Sequence, residues 1–138
     1  MPTANALLIA ASALVVLVLG SLHLLYTFQG TKLHPREATV RAAMEQGVPR
    51  LTPLTTMWRC WVGFNASHSY GAILFGLVFG YLALVQPTVL FQSGFLKVLG
   101  LAALAAYLHL AIRYWFRIPL TGIALAAVLY TLGLLLSP

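Results

Sequence analysis

The chain has 138 residues, of which 61% are hydrophobic and only 7% charged, and its mean hydropathy is +0.92. Soluble domains carry about 25% charged residues, so this composition excludes a soluble globular protein and describes an integral membrane protein, with residues 1–138 forming one transmembrane domain. The net charge of +6 would suit a nucleic-acid partner in a soluble chain, but here the basic residues gather beside the connections between apolar runs, which points to membrane topology and anionic headgroups and against nucleic acid.

Crossing a hydrocarbon core takes about 20 apolar residues per helix, and four runs meet that length: 4–28, 56–85, 95–115 and 119–136. The predicted fold is all-α, an antiparallel four-transmembrane-helix bundle with a short cytoplasmic helix between helices 1 and 2. The first run lacks the basic n-region of a secretory signal and is longer than an h-region, so it is expected to be a retained span. Residues 29–55 form the longest connection. Within it "PREATVRAAMEQG" places Pro35 at a first helical position, Glu37 in the first turn and Gly47 as a stop. Val40, Ala43 and Met44 give this helix a modest apolar stripe, suited to lying on the bundle or the headgroups.

At the second span, Thr55 and Thr56 supply N-cap hydroxyls, and Trp58 and Trp61 fall where interfacial aromatics are enriched. His68, Ala72, Gly76 and Gly80 recur every four residues and share one helix face; small residues at that spacing admit a neighbouring helix closely. His68 is therefore expected to face protein, with Asn65 on the same side and Ser69 paired to Asn65. Cys60 is the only cysteine, which excludes an internal disulfide and a Cys/His zinc cluster. The second connection, "VQPTVLFQSGF", has no charge, and only Lys97 lies near it. Trp115 and Tyr114 close the third span, and Pro119 follows so soon that spans three and four must form a tight hairpin. Lys32, Arg36, Arg41, Arg50 and Arg59 flank the first connection and Arg113 and Arg117 the third. The expected location is a bacterial inner (plasma) membrane, with residues 29–55 cytoplasmic and both termini extracytoplasmic.

Counting about 1.5 Å per residue from the cytoplasmic ends puts His23, His109 and His68 at depths of roughly 8, 9 and 18 Å. Ionisable residues within a span are expensive and mark functional sites by default. The residues expected to form a polar pocket in the cytoplasmic half are His23, Asn65, His68, Ser69 and His109, with Arg59 and Arg113 at its entrance. The plainer alternative is that each histidine satisfies a serine, tyrosine or backbone carbonyl at a helix interface. There is no aspartate, and both glutamates, Glu37 and Glu45, lie in the first connection. Di-iron carboxylate sites, carboxylate-driven exchangers and serine hydrolases are disfavoured accordingly. Neutral imidazole is a common metal ligand, so His23 and His109 are candidate axial ligands of a b-type haem, with Gly20 and Gly63 available to admit the ring.

The segments "HLLYTF" and "TTMWRCWVGFNASHSYG" resemble a bacterial family of small four-helix membrane proteins whose function is uncharacterised; the resemblance implies the fold and no activity. A weaker resemblance is to the membrane-associated proteins of eicosanoid and glutathione metabolism, whose second helix opens with an arginine and an asparagine. Arg59 and Asn65 echo that pattern at a longer spacing, but the glutamate that follows in that family is missing, with His68 in its vicinity, which argues against glutathione binding. The expected role is a small integral-membrane binding or accessory protein for a lipid-soluble or amphiphilic molecule. The alternative is a membrane redox protein or enzyme using His23, His68 and His109 with haem or a metal. A third reading, a structural subunit of a homo-oligomer or larger membrane complex, applies if the glycine stripe faces another protomer.

Overall fold

The computed structural model describes residues 2–137. Six helices follow one another: α1 (Ala4–Phe28), α2 (Ala38–Gln46), α3 (Met57–Val85), α4 (Pro87–Gln92), α5 (Gly94–Tyr114) and α6 (Arg117–Leu135), and among the described residues there is no strand. Four of these helices, α1, α3, α5 and α6, are long and apolar enough to cross a membrane. The large side chains they leave exposed are themselves apolar, among them Leu14, Leu74, Val98, Ile112 and Val128. Such a surface would aggregate in water and is what a hydrocarbon solvent requires.

Each helix stops or starts for a local reason. Gln29 still donates its backbone N–H to the Leu25 carbonyl (2.8 Å), and Gly30 then takes φ +78°, a left-handed turn that glycine makes without the Cβ penalty. The predicted start of α2 at Pro35 is three residues early: Glu37 is its N-cap, in extended geometry, while Gly47 ends the helix as expected, donating to the Ala43 carbonyl at 2.8 Å. A separate turn closes just upstream, where His34 N–H donates to the Thr31 carbonyl at 3.0 Å. Of the two candidate threonines at α3, Thr56 is the cap, its hydroxyl accepting from the Arg59 N–H at 3.2 Å.

Pro87 cannot continue α3 and instead begins α4, a helix not expected from the sequence, which buries Leu90 completely. Ser93 then caps α5 by accepting from the Leu96 N–H. α6 begins two residues before Pro119, which occupies the first turn, where the missing N–H costs no intrahelical bond. The α5–α6 connection is only residues 115–116, so the tight hairpin is realised.

The chain divides into two compact units, Met1–Leu19 with Ala72–Pro138, and Gly20–Gly71. The first is a four-helix bundle. Its core takes Ile9, Ala13 and Val16 from α1, Phe75, Phe79 and Ala83 from α3, Leu104 from α5 and Ile123, Ala126 and Tyr130 from α6. Phe79 stands edge-on to Tyr130 with centroids 5.6 Å apart. Lipid tails are as apolar as leucine, so close packing and internal hydrogen bonds hold such helices together. Close packing is evident at Gly76, where an added Cβ would lie 2.6 Å from Leu17 Cβ and 2.8 Å from the Ala13 carbonyl oxygen. Buried Ser12 supplies an internal bond, donating to the Ala126 carbonyl at 2.7 Å.

The second unit contains the end of α1, the whole first connection and the start of α3. Aromatic residues tie the connection down. Trp61 Nε1–H donates to the Leu33 carbonyl (3.1 Å), and the Trp58 ring meets His34 edge-on at 4.9 Å and lies under the Arg41 guanidinium at 4.6 Å. α2 itself buries no residue, and its Val40 remains 44% exposed. The surface-helix expectation for the Val40, Ala43 and Met44 stripe therefore agrees with the exposure.

Candidate polar site on the first and second spans

α3 positions the central residue. Asn65 is buried, and its Nδ2 donates to the Trp61 carbonyl one turn back at 2.8 Å. This fixes the amide: with nitrogen toward a carbonyl, Oδ1 is left to face His23 Nε2 on α1, 2.9 Å away. The imidazole must then carry its proton on Nε2 and donate, because the amide oxygen can only accept. The His23 ring in turn meets His68 edge-on, centroids 5.5 Å apart at 75°. Ser69, completely buried, donates to the Asn65 backbone carbonyl at 2.8 Å, and Thr27 donates to the His23 carbonyl at the same distance. Ser69 thus satisfies itself on its own helix; its expected pairing with Asn65 reaches the backbone and not the side-chain amide.

His23, Asn65, His68 and Ser69 are therefore brought together in the second unit. Arg59 lies on the same stretch of α3 and is exposed. His109 and Arg113 belong to α5 in the first unit, where both are exposed. Cys60 is exposed as well. The contact between His23 and His68 differs from the sequence-based depths, which separated them by roughly 10 Å. The discrepancy has a structural cause. The first turns of α3 run past the end of α1, where Trp58 and Trp61 pack against residues 33 and 34 of the connection, so counting depth from Thr56 places His68 too far in.

Chemically, the cluster offers imidazole, amide and hydroxyl groups with no carboxylate in any span. Every buried side-chain nitrogen and oxygen among the described residues has a partner. No group of three His, Cys, Asp or Glu side chains positioned to hold a metal ion occurs among the described residues, and His23 Nε2 is already engaged by Asn65. The crevice beside the cluster, lined by residues including Thr27, His34, Trp58, Trp61 and Asn65, has no space for a water molecule.

Room exists elsewhere. In the first unit, an open groove of about 410 Å³ runs between α1 and α3, within the range of about 300–1,000 Å³ that small-molecule sites occupy. Leu7, Leu14 and Leu17 form one wall and Leu77, Tyr81 and Leu84 the other, with Gly76 and Gly80 between them. The glycine spacing was legible in the sequence, but the groove was not, because it depends on which side chains of α1 stand opposite.

Sequence reasoning also missed a polar group in the connection. Arg41 donates through Nε to Glu45 at 2.8 Å and through Nη1 to His34 Nδ1 at 2.6 Å while stacked on Trp58. The four-residue Arg41–Glu45 spacing was a readable signal; His34 lies outside α2 and Trp58 on α3, so no single helix carries the other contacts. Comparison with protein-family models, with curated proteins and with solved structures gives no match for this chain.

Proposed function

We propose that this chain is a small integral-membrane binding or accessory protein whose ligand is lipid-soluble or amphiphilic. The observation that carries the reading is the apolar groove between α1 and α3, about 410 Å³ in volume and lined by leucines, Tyr81 and two glycines. A groove of this kind takes a flexible or flat hydrocarbon body and gives it no directional polar contact. The absence of carboxylates from the spans disfavours paired-carboxylate hydrolysis.

The test is extraction of the protein in mild detergent followed by mass spectrometry of everything that co-purifies. Gly80→Leu provides the comparison: Gly80 lines the groove, and a Cβ there would meet Ala13 Cβ at an ordinary 3.7 Å, so the substitution fills the groove without a backbone collision. The expected result is one class of amphiphile enriched over bulk membrane lipid with the wild type and lost from a folded Gly80→Leu variant. No enrichment, or equal enrichment with both proteins, overturns the proposal. An absorption spectrum of the same preparation examines the haem alternative, since a Soret band would establish it.

A further inference from the structure

We infer that the loop of residues 48–56 is a built surface anchor that seats Leu51 and Leu54 among anionic phospholipid headgroups, in the bilayer that the spans cross. The inference rests on the membrane-spanning helices and is independent of the groove. Leu51 is 94% exposed and Leu54 87%, the two highest values among the large apolar side chains of the described residues. Neither belongs to a helix.

The loop has a defined shape. Its base is closed where Met57 N–H donates to the Gly47 carbonyl at 2.8 Å, joining the end of α2 to the start of α3. Inside it, Thr52 N–H donates to the Pro49 carbonyl (3.3 Å) and Leu54 N–H to Thr52 Oγ1 (3.2 Å). Pro49 and Pro53 restrict the backbone further. Compact loops with closed ends commonly carry function. Here the closure displays two leucines that nothing else in the loop requires to be outside.

Position and charge identify the occupant. Leu54 stands three residues before the first residue of α3, a span, and Leu51 six, so at about 3.3–3.6 Å per residue the tip lies within roughly 20 Å of the span's end. Trp58 and Trp61 occupy the first turns of α3, and such aromatics gather at the headgroup level, so the tip stands on the headgroup side of the span. Arg50 adjoins Leu51, and Arg59 lies in the first turn of α3; both are exposed. Glu45 is the last acid in the sequence and is held by Arg41, the only ion pair among the described residues. An apolar tip with a basic rim and no competing carboxylate complements a layer whose surface is phosphate and whose interior is hydrocarbon. Basic residues beside a membrane surface gain attraction from anionic lipids.

The experiment places an environment-sensitive fluorophore on a single cysteine at Leu51→Cys, and separately at Leu54→Cys, in a Cys60→Ser background. Each protein is reconstituted into vesicles of phosphatidylcholine alone and of phosphatidylcholine with phosphatidylglycerol. Both sites are exposed, so labelling leaves the packing intact, and circular dichroism verifies the helices. The expected result is quenching by shallow spin-labelled lipid, with accessibility to the neutral aqueous quencher acrylamide falling several-fold when phosphatidylglycerol is present. Arg50→Gln with Arg59→Gln should remove most of that dependence. Acrylamide access equal to that of a free fluorophore in both vesicles overturns the inference, as does protection identical in the two compositions. Protection accompanied by cross-linking to a second copy of the chain also overturns it, in favour of a protein contact.

Discussion

Asn65 carries more of the second unit than its single side chain suggests. It accepts from His23 on α1 and donates to the Trp61 carbonyl on its own helix, so truncating it strands a donor and frees an acceptor at once. Hydrogen bonds between membrane helices average about 0.6 kcal/mol, but leaving a buried polar group unsatisfied costs about 1–3 kcal/mol. Asn65→Ala is therefore expected to fall in the second range, measured as lost stability on denaturant titration in micelles. His68→Gln keeps a polar group and leaves the His23–Asn65 bond intact, so it should cost less than Asn65→Ala; an equal or larger loss would contradict the central place given to Asn65. Tyr130 provides a contrast. Its hydroxyl reaches the Leu96 and Lys97 carbonyls only at 3.4 and 3.5 Å, distances at which a hydrogen bond is weak. Tyr130→Phe should leave stability nearly unchanged.

Between elements, glycine decides how near two helices approach. An added Cβ at Gly76 would meet both side chain and backbone of α1, with Leu17 Cα 2.9 Å away, whereas Gly63 faces open space. Gly76→Leu is expected to destabilise the protein by more than the roughly 1–3 kcal/mol typical of overpacking, because the obstructing atoms are backbone and cannot rotate aside. Gly63→Ala should be neutral or slightly stabilising, since alanine is the better helix former by about 1 kcal/mol. Thermal unfolding of both variants in the same detergent checks the pair. On the α5–α6 hairpin, a Cβ at Gly100 would collide with the Tyr130 ring and come within 2.9 Å of Phe79 Cε1. Gly100→Ala should therefore lower the melting temperature more than Tyr130→Phe does.

For the whole molecule, the charge distribution makes the testable statement. Five basic residues flank the first connection and two the third, while the second connection itself has none. The expectation from the positive-inside rule is that residues 29–55 face the cytoplasm and both termini the opposite side. Reporter fusions within residues 46–50 and after residue 138 measure this directly, with cytoplasmic activity expected only for the first. Activity from the C-terminal fusion would reverse the orientation. It would leave the four-helix architecture untouched, because packing does not depend on which side is in.

Amino-acid order alone determined the class, the number of spans and nearly all their limits, because each depends on local quantities: apolar run length, a proline at 87, a glycine at 30, a threonine cap at 56. It also determined that Asn65, His68 and Ser69 lie close together, since helical spacing is a property of one segment. Tertiary structure decided the partners. The engagement of Asn65 with His23, the contact of His23 with His68 and the clamp of Trp58 on His34 and Arg41 join residues between 17 and 45 positions apart in the chain. The relative register of α1 and α3 brings His23 level with Asn65, and no single segment encodes it. The groove on the first unit and the closed loop at residues 48–56 have the same origin: one is the space left between opposing helix faces, the other the consequence of a backbone bond from Met57 to Gly47.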